Sequence, residues 1–279
     1  MKRASVKVVI RCAVVFGLLN GGVAAQTPQA PPATEPFTPT VGQSGKDVVW
    51  VPTSPELVEK MLDMAKVTAA DHVMDLGSGD GRNIIAAAKR GATAVGVEFN
   101  HDMVELSRKQ AAAAGVAGKA TFIQGDMYEA DISKATVLAL FLLPHNLNKL
   151  TPKFLALKPG SRIVGNTFAP EGWAADETET ISGECVSWCT SLLWIVPANA
   201  AGTWKLTTGE LTLKQEFQMV SGTLVQGATS TPVTGKLRGD LITLTAGNIE
   251  FAGRVTGDTM EGSAKHDGTT TNVVASRVK

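Results

Sequence analysis

The chain has 279 residues, 44% hydrophobic and 19% charged, enough to bury one full core and a small second one. Basic and acidic residues both number 26, so no basic excess points to a nucleic-acid partner. His72, His101 and His266 show no metal-ligand spacing, and no metal is expected.

Residues 1–25 read as a secretory signal. Lys2, Arg3, Lys7 and Arg11 precede or border a short apolar run from Cys12 to Leu19, and Val23-Ala24-Ala25 form a small-residue end before Gln26. The apolar run is shorter than the roughly 20 residues a bilayer requires. The expectation is an exported, periplasmic protein with no membrane span after cleavage. Losing those four basic residues of the 26, and no acid, leaves 22 basic against 26 acidic and a net charge of −4. Residues 26–45 hold five prolines and are expected to be an extended linker without a core. Cys185 and Cys189 remain in the mature chain. Residues four apart on a straight strand lie roughly 13 Å from each other, so pairing requires a turn between them; two separate thiols are the alternative.

From Lys46 strands and helices alternate. Thr53-Ser54-Pro55-Glu56 is a helix start, capped by Ser54 with Pro55 in the first turn or by Thr53 with Glu56. Expected strands are 72–76, 94–98, 120–123, 136–142 and 162–168. Expected helices are 82–90, 101–114, with Asn100 as cap, and 146–157. Residues 177–181 and 191–196 suit a closing antiparallel hairpin. This pattern implies an α/β, doubly wound Rossmann-like sheet over 46–198. Residues 199–279 form short alternating runs split by glycine, with Gly239-Asp240 and Gly257-Asp258 as turns. They imply an antiparallel β-meander domain, either a sandwich or a small barrel. Trp188, Trp194 and Trp204 flank the boundary and are expected to pack in a core or between domains.

The strongest chemical signal is Asp75-Leu76-Gly77-Ser78-Gly79-Asp80-Gly81-Arg82, at the end of the first strand. Glycines let a ligand touch backbone and permit positive φ. Gly81 follows Gly79 by two residues, which departs from the dinucleotide fingerprint, and no Lys-Ser/Thr pair forms a phosphate loop. A tight loop with an acid just before it suits a cationic amino-acid ligand better than a diphosphate. Glu98 ends the second strand, where an acid can accept from ribose hydroxyls. Asp126 follows the third strand, where it can accept from an adenine amine while Met127 packs on the ring.

With these residues the chain resembles the seven-strand, class I S-adenosylmethionine-dependent methyltransferases over roughly 46–197. It is most similar to the lysine methyltransferase branch related to the mitochondrial enzyme that modifies the c-ring protein of ATP synthase. Trp50-Val51-Pro52-Thr53, the Asp75–Arg82 loop, Gly96-Val97-Glu98 and Leu143-Pro144 carry the likeness. The resemblance implies S-adenosyl-L-methionine as cofactor, a protein amine as acceptor, and Val51, Pro52 and Thr53 in the cofactor pocket. The branch usually has Tyr where Trp50 stands. The segment after the fourth strand, Phe141-Leu142-Leu143-Pro144-His145, offers no carboxylate base. Methyl transfer from a sulfonium is a direct displacement, for which alignment can suffice. Candidate catalytic residues are Trp50 and Pro144, as walls of an apolar pocket, and His145, as a proton acceptor or else a surface residue at a helix start. A second reading of the whole chain is an exported, non-catalytic binding protein with a methyltransferase-like fold.

Overall fold

Strand β1 (His72–Leu76) is apolar except for Asp75 at its penultimate position and the half-buried His72 at its start, and it lies inside a seven-stranded sheet ordered β3-β2-β1-β4-β5-β7-β6. The other strands are β2 (Thr93–Glu98), β3 (Ala120–Gln124), β4 (Val137–Leu140), β5 (Arg162–Asn166), β6 (Glu177–Thr180) and β7 (Thr190–Ile195). The first five pair in parallel, and β7 runs antiparallel to both β5 and β6. The computed structural model describes residues 37–183 and 185–278, together with 1, 2, 4–10 and 13. The export signal over 1–25 and the linker over 26–36 fall outside the described residues, save for those isolated positions.

Helix α1 (Pro55–Met64) starts where the sequence places it: the Leu57 N–H donates to Ser54 Oγ at 3.2 Å, with Pro55 in the first turn. Its buried face, Leu57, Val58, Met61 and Leu62, packs with α2 (Arg82–Lys89) on one side of the sheet. Asn100 caps α3 (His101–Ala113) by accepting from the Asp102 and Met103 N–H groups. Helix α4 (Pro144–Leu155) begins two residues earlier than the periodicity predicts, because Pro144 fits a first-turn position that needs no N–H donor. Strands β4 and β5 end two residues early. After β5, Thr167 takes a positive φ of 61°, which turns the chain out of the sheet.

The strands are locked at the end opposite their carboxyl ends. Asp71, just before β1, accepts from the Thr136 hydroxyl at 2.8 Å and pairs with the Arg162 guanidinium, joining the starts of β1, β4 and β5. Burial alone would raise the Asp71 carboxyl. The Thr68 N–H, the Thr136 hydroxyl and Arg162 outweigh it and hold the group below its ordinary value.

Beyond residue 201 the chain forms a closed, eight-stranded antiparallel barrel, the second of the two meander alternatives. Its strands are β8 (Gly202–Leu206), β9 (Gly209–Glu216), β10 (Met219–Gln226), β11 (Thr229–Arg238), β12 (Leu241–Ala246), β13 (Ile249–Thr256), β14 (Thr259–His266) and β15 (Thr269–Arg277), with β15 closing on β8. Closure demands sharp coiling, and glycine supplies it. A Cβ at Gly222 would fall 1.9 Å from the Thr212 carbonyl oxygen, and one at Gly235 2.1 Å from that of Thr243. The run 210–220 reads as one strand but is broken by a turn at Phe217-Gln218, where Phe217 takes a φ of 50°. The Phe217 ring stacks on Trp173 at 5.3 Å, and Gln218 Nε2 donates to the Ala174 carbonyl at 2.7 Å, so the turn faces the α/β part of the molecule.

Asp71→Ala removes charge-assisted bonds that join three strands, and the loss should be about 2–3 kcal/mol of folding stability. The carboxyl is held low, so its contribution is full above the unfolded value near 4 and fades as pH falls through the folded one. Urea unfolding at pH 7 and pH 3.5 checks both points. The gap between wild type and variant should shrink at the lower pH.

Candidate active site

The strand order reverses between β1 and β4, and in open α/β sheets ligands settle in the crevice at the carboxyl ends of strands at such a point. A cavity lies there. Its walls include Trp50, Val51, Pro52 and Thr53 from the segment before α1, and Asp75, Gly77, Ser78 and Gly79 from the glycine loop. Glu98, Asp126, Met127 and Phe141 complete it from the ends of the next strands. Every expected cofactor-binding residue stands in this wall except Gly81, and Trp50 stands with them.

Gly81 is the left-handed start of α2, at φ 81°. A Cβ there would strike the Phe122 ring at 2.6 Å and Ser107 at 2.9 Å, so this glycine lets the helix pack on β3 and does not wall the cavity. Gly79 is different. It has a φ of 55°, and a Cβ would meet the Trp50 indole Nε1 at 2.8 Å. Its N–H donates to Glu98 Oε2 at 2.9 Å, while Glu98 Oε1 accepts from the Asn100 N–H at 2.9 Å. The acid at the end of β2 is thereby fixed against the loop.

Asp75 is 3% exposed. Asn83 Nδ2, from α2, donates to its Oδ2 at 3.0 Å, and its Oδ1 has no partner. The buried Ser78 Oγ also lacks one. Burial pushes the Asp75 carboxyl up to about 8; the Asn83 bond opposes this, and the charges of Glu98 and Asp80 reinforce it. An acid with an unpartnered oxygen in a cavity wall suits a cationic group, whose charge would favour the carboxylate form.

Arg82 closes the same motif and acts on the site, although the motif alone does not assign it a role. Its Nε donates to Asp80 Oδ1 at 2.9 Å and its Nη1 to the Thr53 carbonyl, so it ties the Val-Pro-Thr segment to the loop. Asn166, at the end of β5, holds the other side of that segment through its Nδ2 to Thr53 Oγ1 at 3.2 Å.

Residues 42–50, at the end of the expected linker, form a small hairpin over the cavity. The Gly42 N–H donates to the Trp50 carbonyl at 2.8 Å, and the Trp50 N–H to that of Gln43 at 2.9 Å. From it Lys46 reaches Asp126 and lies 5.0 Å above the Phe99 ring. Lys46, first of all, holds the Asp126 carboxyl below its ordinary value. About 90 Å³ of free space remains beneath the hairpin.

The candidate catalytic residues fare unequally. Trp50 lies on the glycine loop. Pro144 and His145 are exposed on the first turn of α4 and stand outside the cavity walls, because β4 ends at Leu140 and the chain turns away. Leu142 is buried against Gly77. The apolar wall is Phe141 instead, stacked with Phe168 at 6.1 Å and tilted against Trp188 at 6.0 Å. Trp188 is not core: it is 44% exposed and sits at φ 55° in the loop between β6 and β7. Cys185 and Cys189 close that loop as a disulfide. Trp194 and Trp204 are buried, as expected.

The fold, the glycine loop and the unpartnered acid together define a seven-strand S-adenosylmethionine-dependent methyltransferase. Residues 75–177 match the ANTKMT methyltransferase domain. A protein-lysine N-methyltransferase from Saccharolobus islandicus is 44% identical over 133 residues, 47% of this chain and 83% of that protein. The Homo sapiens lysine N-methyltransferase of the ATP synthase C protein is 29% identical over 201 residues, 67% of this chain and 84% of that enzyme. The crystal structure of an RNA methyltransferase from Salinibacter ruber, in complex with S-adenosyl-L-homocysteine, is 44% identical with a TM-score of 0.50, covering 53% of this chain and 95% of that one. The chain belongs to the protein-lysine N-methyltransferase family.

Gly79→Val should abolish S-adenosylmethionine binding, because the branched side chain meets both the indole and an unfavourable φ. Calorimetry on folded variant, checked by circular dichroism, reads this directly. Asp75→Asn gives a signed test. A raised carboxyl stabilises the free fold fully below the unfolded value near 4, and that contribution is lost as pH rises through about 8. The substitution should therefore raise the melting temperature of the free protein more at pH 8.5 than at pH 5, while weakening cofactor binding at both.

Proposed function

We propose that this chain N-methylates a lysine of a protein encountered outside the cytoplasm. The observation that carries the reading is the aromatic acceptor face: Phe141 at the cavity wall, backed by Phe168 and Trp188. Lysine must lose its proton before it can attack. Withdrawal of the side chain from water disfavours the ammonium and lowers its pKa, which eases loss of that proton to solvent. The same rings hold the aliphatic stem in line.

S-adenosylmethionine supplies an activated methyl group on a sulfonium. In our assignment Asp75 takes the ammonium of its amino-acid end beside the free Oδ1, and the backbone of Gly77 and Gly79 lies against the rest of that end. Glu98 takes the ribose hydroxyls. Asp126, with Lys46 displaced, takes the adenine amine, and Phe99 and Met127 flank the ring. Val51, Pro52 and Thr53 close the pocket from above.

Export is supported by the signal-like residues 1–25 and by the Cys185–Cys189 disulfide in an exposed loop, a bond that persists in oxidising compartments. An RNA acceptor is the competing reading, favoured by the Salinibacter ruber relative. The acidic excess of the mature chain argues against it.

Mature protein starting at Gln26, supplied with methyl-labelled cofactor, would be incubated with envelope proteins and, separately, with RNA from the same cells. Label recovered as ε-methyl-lysine supports the reading, and label confined to RNA overturns it. Glu98→Ala should weaken cofactor binding roughly ten- to a hundredfold. Trp188→Ala should leave cofactor affinity unchanged and raise the acceptor KM about five- to tenfold. Reducing the disulfide should act in the same direction.

A further inference from the structure

The barrel is packed at one end and hollow at the other. At the end facing the sheet, Leu213, Leu237, Ile242, Val255 and Met260 point inward and are 0–3% exposed. Trp204 is fully buried beneath them, and Arg277 lies 4.2 Å over its ring while donating to the carbonyls of Asn199 and Ala201. This end is a closed floor.

Towards the turns at 207–208, 227–228, 247–248 and 267–268 the inward positions change. Ala246 and Ala264 replace larger side chains, and Leu224, Ile249, Phe251 and Val273 ring a cavity of about 760 Å³ that opens at those turns. Leu224, Ile249, Ala264 and Val273 are only partly buried although the ladder registers turn them inward. The outer face, by contrast, carries Glu210, Thr212, Lys214, Thr243, Glu261 and Lys265, and is solvated. Eight strands enclose an interior that side chains just fill or that holds one small ligand. Here side chains fill the lower half alone. An apolar wall left facing water is unfavourable, and the small residues at 246 and 264 leave the space that exposes it.

We propose that the open half of the barrel is a binding site for a single linear aliphatic chain, entering end-on. The wall is mainly apolar, and polar side chains gather toward the mouth, where Gln226, His266, Asp267 and Thr269 would face the ligand's head, with Thr271 and Asn272 a step below. Met260 at the floor and His266 at the rim stand six residues apart on β14, which at ordinary strand rise and barrel tilt is roughly 15 Å of depth, about ten to twelve extended carbons. The mouth lies at the end of the barrel opposite the turns that meet the sheet, so this site is separate from the cofactor cavity and does not rest on the methyltransfer reading.

Calorimetry on the whole mature protein with saturated fatty acids of eight to sixteen carbons tests this. Affinity should rise about tenfold for each two carbons up to about twelve and then level off, following the free energy of methylene burial. Ala264→Trp, which fills the cavity, should reduce dodecanoate affinity at least tenfold while leaving S-adenosylmethionine affinity unchanged. If that variant unfolds, Ala246→Leu is the milder replacement and should show the same direction. A dodecanoyl lysophospholipid measured beside dodecanoate separates a membrane-derived source from a free acid, and tighter binding of either supports the site. Absence of chain-length dependence, wild-type affinity in the filled variants, or binding of a fused-ring sterol in place of every linear chain would overturn it.

Discussion

Asp75, next to last in β1, holds its carboxyl group out of water, and the active end of the molecule is organised around that group. A buried acid with one donor is uncomfortable as an anion, so it holds its proton. The donor, Asn83, is itself 4% exposed and lies on α2. Helix α2 reaches Asp75 only because the chain turns through three left-handed glycines in five residues, and the last of them lets the helix sit tight on Phe122 and Ser107. Strand, loop and helix are therefore one unit. Asp75 lines the cavity, and a cation arriving beside its unpartnered oxygen would favour loss of that proton and pair with the carboxylate. This is preorganised electrostatics, with the cost borne by the free protein and relieved on binding.

The hairpin over the cavity uses the same logic in reverse. Lys46 already neutralises Asp126 and lies on Phe99, the surfaces a flat, amine-bearing ring would use. Trp50 already covers Gly79. A nucleoside reaching those surfaces would exchange one set of contacts for another. Such a segment can stay closed without blocking function, since an exposed lysine–aspartate pair contributes little to stability.

Much of this was legible in the sequence because its signals are local. The glycine loop, Glu98 and Asp126 are each recognisable from a strand end and a short motif, and the cap at Ser54 needs only neighbouring residues. What stayed hidden depends on distant partners. Phe141 reads as one more apolar residue of a buried strand, and its role comes from β4 ending at Leu140 and from two rings 27 and 47 residues away. Trp188 reads as core, yet a disulfide loop lifts it into solvent. The turn at Phe217-Gln218 carries neither glycine, proline, asparagine nor aspartate. Its left-handed residue is held by stacking on Trp173, a tertiary contact that no local pattern announces. For His145 the surface alternative holds: it stands beside the site in sequence but lies exposed on the first turn of α4.

The β6–β7 hairpin links the two parts of the molecule. Near one end Asp176 and Glu177 pair with Lys236 and Arg238 of the barrel, and Gly239 approaches Gly160 so closely that a Cβ would stand 3.1 Å from its Cα. At the other end the same hairpin carries Trp188 onto Phe141. The Asp176 carboxylate also accepts from the Ile195 N–H, so the barrel contact and the strand pairing share an atom group. The parallel strands are tied separately, through Asp71, Thr136 and Arg162 at the starts of β1, β4 and β5. The Phe141, Phe168 and Trp188 rings therefore share their supporting hairpin with the barrel contact, whereas the glycine loop follows β1, two strands further from β7 than β5. The barrel meets the sheet through its closed floor, so its hollow end points away while the same hairpin holds Trp188 against Phe141.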